Sequence, residues 1–150
     1  MISENKIKHS LAVARKCREI ALHQNNNTEF ADAMFVMGLL HDIGYEFEPD
    51  SNHGHRSAEM IEAFIKHLDG CKDAIACHGL CFDNWSNYDE ILNQADMSTS
   101  YDGTPTTIDK RLEGIREIWG ENSIHYKHAV EVSDRLKTLT KKENGILGCN

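Results

Sequence analysis

The sequence predicts an all-α protein folded as one helical domain. Three observations carry this. Apolar residues recur at spacings of three and four through most of the chain, and no segment reads as a strand. Only 2 of the 150 residues are proline, so little interrupts long helices. A chain of this length suits one domain and buries enough surface to hold a core without disulfides.

The elements follow in order. A first helix is expected from Glu4 to Gln24, where Ile7, Leu11, Ala14 and Ala21 share a face that Val13, Cys17 and Ile20 widen. Asn25-Asn26-Asn27 ends it, and Thr28 is a suitable N-cap for a second helix reaching Leu40 or His41. That helix is apolar almost all round, which places it in the middle of a bundle. Gly44 stands where a left-handed C-terminal cap is expected. Tyr45 to Asn52, with Pro49, reads as a loop. A third helix is expected from about His55 to Leu68, stopped by Asp69-Gly70, and a short one from Cys71 to His78. Gly79 to Asn87 reads as irregular, Tyr88 to Met97 as a helix with Ile91, Leu92 and Ala95 inward, and Asp102-Gly103-Thr104-Pro105 as a turn. Thr106 with Asp109 resembles a capping box opening a helix that ends at Gly120. The last helix is expected from Ser123 to Thr140. Residues 1–140 then form the domain, and 141–150 a frayed tail.

Composition narrows the function. Lys and Arg total 16 against 24 Asp and Glu, a formal charge of -8. Gripping a long nucleic acid needs the opposite balance, although a local basic pocket for a small anion is compatible with it. No run approaches the roughly 20 apolar residues of a membrane span. The 5 cysteines, an odd number without a signal peptide, read as reduced thiols in the cytoplasm. Cys77 and Cys81 lack the tight pairs of a zinc ribbon and read as buried thiols. A homodimer is compatible with all of this.

The 9 histidines are the unusual feature. His41 continues the apolar row Phe30, Met34, Met37, and Asp42 follows it directly. His78 lies four after Ala74, and Asp96 four after Leu92. Such spacings point these side chains the way their apolar neighbours point. Each alone also fits a satisfied core histidine or a capping aspartate, and Asp96 could pair with Lys110 or Arg111. Together, two carboxylates on apolar faces beside imidazoles suit a divalent transition metal: Fe, Mn, Zn, Co or Ni. Arg56 and Arg111 could hold a substrate phosphate by bidentate hydrogen bonds, and Tyr45 could line a pocket entrance. His125 and His128, with no partner motif, are expected at the surface.

The run Gly38-Leu-Leu-His-Asp-Ile-Gly44 resembles the signature of the HD-domain superfamily of metal-dependent phosphohydrolases. Four more segments resemble its motifs in the family order: His9-Ser-Leu-Ala-Val-Ala14, His53-Gly-His-Arg-Ser-Ala58, Ala74-Ile-Ala-Cys-His78 and Gln94-Ala-Asp-Met97. Asp102-Gly103 through Trp119-Gly120 is similar to small bacterial members of unassigned substrate. The resemblance implies a helical bundle with a central metal site. By position it implies His9, His41, Asp42 and Asp96 as shared ligands, with Asp42 bridging, and His53 and His78 as ligands of a second ion. His55 competes with His53, whose spacing to Ser57 fits the motif better. The sequence departs from the family at Gly79, where many members carry a second His, and at Tyr45, where many carry Lys.

The implied activity is hydrolysis of a phosphoester on a small phosphorylated molecule, most plausibly a nucleotide, by a metal-activated hydroxide. One or two ions would serve. Asp42, His53 and His78 are the candidate catalytic residues, the histidines as general acids where they are not ligands. The alternatives are a di-iron oxygenase on the same scaffold, as known members are, and a non-catalytic nucleotide-binding regulatory module.

Overall fold

The computed structural model describes residues 3–25, 27–47, 52–62 and 69–146. These residues form α1 (Glu4–Asn25), α2 (Thr28–Leu40), a 3-10 turn (Ile43–Glu46), α3 (His53–Glu62), α4 (Asp69–Cys77), α5 (Asn87–Met97), α6 (Ile108–Trp119) and α7 (Ile124–Ile146). Among the described residues there is no strand, only an isolated bridge between Thr99 and Pro105. The all-α expectation therefore holds.

Several boundaries differ from the sequence reading, each for a local reason. Asn27, not Thr28, caps α2: its extended backbone lets its side chain accept from the Phe30 N–H at 3.0 Å. Thr107, not Thr106, caps α6 by accepting from Lys110 N. Thr106 is spent elsewhere, donating its N–H to Ser98 O at 2.9 Å. Asp109 pairs with Lys137 at 2.7 Å instead of closing a capping box. A true capping box opens α5, between Ser86 and Asp89. Asp69 begins α4 instead of stopping α3, and the expected end of α3 at Leu68 lies outside the described residues. So do Pro49 and Cys149. The backbone of α7 stays helical through Ile146, past the expected end at Thr140.

Gly44 is not a left-handed cap. Among the described residues, glycines with positive φ are Gly79, Gly103 and Gly120. Gly44 lies in the 3-10 turn, and a Cβ there would sit 2.2 Å from His53 O. The position needs glycine because the backbone of α3 touches it.

α1 and α2 pack as a pair, as do α3 and α4, and α5 touches α1, α2, α4 and α7. Met34 and Met37 of α2, Ile75 of α4, and Ile91 and Leu92 of α5 meet in the main core with almost no exposure. Burying each such side chain contributes about 1.5–3 kcal/mol. α6 and α7 pair over a smaller core of Met97, Val132 and Leu136, with Leu112 and Ile115 against it. One cavity is lined from both sides of this division: Asp42, His53 and Asp96 on one, Ile115, Ala129 and Val132 on the other.

Candidate metal centre

The histidines are oriented by backbone carbonyls. His9 Nδ1 lies 2.9 Å from Ser100 O, His41 Nδ1 2.7 Å from Gly38 O, and His78 Nδ1 2.6 Å from Ile75 O. A carbonyl oxygen only accepts, so each Nδ1 carries the hydrogen and donates it. A neutral ring held this way presents the lone pair of Nε2, the arrangement that readies an imidazole for a metal.

These lone pairs converge on Asp42. Its Oδ2 faces His41 Nε2 at 3.2 Å and His9 Nε2 at 3.7 Å. Its Oδ1 faces His53 Nε2 at 3.3 Å and His78 Nε2 at 3.4 Å. His9 Nε2 also lies 3.0 Å from Asp96 Oδ1, and the Nε2 atoms of His53 and His78 lie 2.9 Å apart. Atoms bound to one ion at about 2.0–2.2 Å stand roughly 3–3.5 Å from one another, as these do. Two groups of ligand atoms result, His9–His41–Asp42 and Asp42–His53–His78, sharing the carboxylate.

The donor set fits a cation. His41 Nε2 is fully buried and has no hydrogen-bond partner. The Nε2 lone pairs of His9, His41 and His78 face carboxylate oxygens, acceptor against acceptor, which a proton or a metal ion between them reconciles. Electrostatics agree. Burial raises the Asp42 carboxyl, but His41 directly against it and the ring nitrogens of His53 and His78 outweigh burial and hold it well below the usual carboxylate range. Burial also raises Asp96, but the Arg111 guanidinium and His9 hold it far down. Burial lowers His78, yet the Asp42 carboxylate beside it brings it above its ordinary value. Two ionised carboxylates, Asp42 buried and Asp96 half-buried, thus draw positive charge to one place.

Local packing sets the ligand positions. Ser57, fully buried, accepts from Gly44 N at 2.8 Å and donates to His53 O at 2.9 Å, tying the turn after Asp42 to the start of α3. Gly54 brings α3 against the end of α4, so that the rings of His53 and His78 meet at 4.8 Å between centroids. Asn93 accepts from Gly79 N at 2.9 Å and fixes the chain just after His78 to α5.

A family model described as HD domain matches residues 7–139. The chain belongs to the HD-domain superfamily of metal-dependent phosphohydrolases. No curated protein and no solved structure matches it.

In this HD domain the six residues named as candidate ligands, His9, His41, Asp42, His53, His78 and Asp96, come together, and the cluster could hold a divalent metal. His55 is exposed, two residues into α3, so His53 is the one that reaches Asp42. Arg111 lines the cavity, but its Nη2 is 3.2 Å from Asp96 Oδ1. Tyr45 lines both the cavity and an outer cleft, and its ring stacks on His53 at 3.9 Å. Arg56 is not among the cavity-lining residues; its Nε donates to Gly44 O at 3.4 Å, behind the turn. Cys77 and Cys81, read as buried thiols, are free and half-buried.

Sequence reasoning missed four residues. Lys6 reaches Asp42 Oδ2 at 2.6 Å and lies over the Tyr45 ring, 3.8 Å from its centroid. Its place three before His9 on one helix was the available signal. Asn93, three before Asp96 on a buried face, was another. His125 and His128, expected at the surface, are half-buried and line the cavity. No described helix is long and apolar enough to cross a membrane.

Proposed function

We propose that this HD domain hydrolyses a phosphate ester of a small molecule, with a nucleotide as the substrate class and one or two divalent transition-metal ions as cofactor. The observation that carries the reading is Asp42: each of its oxygens faces its own pair of imidazole nitrogens, beside a cavity that also holds Lys6 and Arg111. His9, His41, Asp42 and Asp96 would hold one ion, and Asp42, His53 and His78 the other. When bound, such ions lower the pKa of a water toward neutrality and polarise a phosphoryl oxygen.

The chain's own residues do the rest. The cavity, about 140 Å³, suits a phosphoryl group. Lys6 and Arg111 put positive charge on its wall, where phosphate oxygens would sit. The adjoining cleft of about 410 Å³ shares Tyr45, Arg111 and Trp119 with the cavity and adds Tyr101 and Ile118. Flat and apolar side chains of this kind suit the base of a nucleotide. No serine or cysteine nucleophile is required.

The deciding experiment is metal analysis of protein purified without chelators, followed by a screen of phosphomonoesters, nucleotides and cyclic nucleotides. The expected result is stoichiometric metal and metal-dependent phosphate release from one ester class. Full metal with no ester hydrolysed, and oxygen consumed by the iron form, would replace this reading with oxygenase chemistry, which the same mixed His and carboxylate set suits.

A further inference from the structure

Departure of an alkoxide or phenoxide from phosphorus is slow unless a proton reaches the leaving oxygen. His53 and His78 are not free to give one, since their Nε2 atoms belong to the ligand cluster around Asp42. The other titratable side chains on the cavity wall outside the ligand cluster are Lys6, Tyr45, Arg111, His125 and His128, since the N–H groups of Asn93 and Trp119 do not ionise. Lys6 is paired with Asp42 and Arg111 with Asp96. Tyr45 lies flat against His53 and beneath Lys6. Arginine does not release its proton in proteins, and lysine and tyrosine ordinarily hold theirs until about pH 10. Histidine alone exchanges a proton readily near neutrality.

His125 and His128 stand three apart on α7 and so share a face. The His125 ring is engaged with Trp119, 4.2 Å between centroids and tilted by 31°. His128 is half-buried, with Ala129 and Val132 beside it on the wall. In a cavity this small, a phosphoryl group seated at Asp42 has the α7 wall as its neighbour. α6 and α7 carry none of the candidate metal ligands, so this wall is available for the departing group.

We propose that His128 is the general acid of the reaction. The inference rests on the hydrolase reading above. As the water oxygen forms its bond to phosphorus, the bond from phosphorus to the alcohol oxygen breaks. The electron pair of that bond leaves on the alcohol oxygen, which takes the ring proton of imidazolium His128. The attacking water gives its surplus proton to solvent, and solvent returns one to His128. One water is consumed, and one alcohol and one phosphate are released.

The test uses two probe esters, p-nitrophenyl phosphate and phenyl phosphate, with the metal-loaded protein. The nitrophenolate departs without protonation, whereas phenolate benefits from an acid. His128→Gln is expected to lose about 100-fold in kcat on phenyl phosphate and only about 3-fold on p-nitrophenyl phosphate. His128→Asn is read alongside it, and metal content and thermal midpoint are measured on both. His125→Gln is expected to lower both rates by one common factor. Equal losses on the two esters in the His128 variants, or the selective loss appearing in His125→Gln, overturns the assignment while leaving the hydrolase reading intact. Wild-type protein with full metal is expected to hydrolyse both probes. Hydrolysis of neither probe and of none of the screened nucleotides and cyclic nucleotides removes both readings. Hydrolysis of a nucleotide but neither probe overturns the assignment of His128 as an acid acting on these leaving groups.

Discussion

The ammonium group of Lys6 lies 2.6 Å from Oδ2 of Asp42, the same oxygen that faces His9 and His41. A metal ion held by His9, His41 and Asp42 would share this acceptor with the lysine. Their charges would repel, so part of the ion's binding energy would go into displacing the ammonium. Lys6→Met is expected to tighten metal binding about 3- to 10-fold in a chelator-competition titration. The same change leaves a buried carboxylate less compensated, which costs the chelator-treated protein about 1–3 kcal/mol in denaturant unfolding. Weaker metal binding in this variant would show instead that Lys6 supports the ligand geometry.

Asp42 is the residue on which both ligand groups depend. Asp42→Ala should remove most bound metal and nearly all phosphate release, since it deletes a shared ligand together with its charge. His53→Ala should be milder, removing one ion while the group at His9 and His41 keeps the other. Metal-to-protein ratios near zero, one and two for Asp42→Ala, His53→Ala and wild type are the expected series. Wild-type metal content in Asp42→Ala would refute the site.

Gly54 lets the backbone of α3 approach the end of α4 closely. A Cβ there would stand 2.8 Å from Ile75 O and 2.9 Å from Ala76 O, and these backbone atoms cannot swing aside. Gly54→Ala is expected to cost about 1–3 kcal/mol in denaturant unfolding, in the range of overpacked cores. It should also part His53 from His78 and halve the metal bound. Unchanged stability would mean that the two helices separate freely.

What the sequence revealed of this site follows from the reach of helical periodicity. His41, Asp42, His78 and Asp96 follow apolar rows of their helices, so local spacing pointed them inward, and the family motifs added His9 and His53. Lys6 was missed because a lysine in the first turns of a helix reads as a solvated charge; only the fold brings Asp42, 36 residues away, against it. His125 and His128 were placed at the surface because nothing local distinguishes a helix face that meets a cavity from one that meets water. The docking of α6 and α7 on α5 decides that, and it is a long-range event. The cap errors are of another kind. Asn27 and Thr28, and likewise Thr106 and Thr107, are neighbours of similar capping ability, and for the second pair the bond from Thr106 to Ser98 made the choice.

The turn after α5 carries a prediction that involves pH. His9 is oriented by Ser100 O, and Ser100 is held by Asp102. The Asp102 carboxylate accepts from Ser100 Oγ, from Thr104 N at 3.0 Å and from Thr104 Oγ1 at 2.7 Å. Hydrogen bonds from Ser100 and Thr104 bring its pKa down to about 2. A carboxyl whose folded pKa is depressed adds stability that is complete above its unfolded value, near 4, and that is lost as pH falls through about 2. In a carbon-detected NMR titration the Asp102 carboxyl should therefore still read as ionised at pH 3, where an unperturbed aspartate is mostly protonated. Asp102→Ala should loosen the turn, release the Ser100 carbonyl from His9 Nδ1 and weaken metal binding about 10-fold, as loss of a ligand's orienting partner does. An Asp102 midpoint near 4, or unaltered metal affinity in Asp102→Ala, would separate this turn from the orientation of His9.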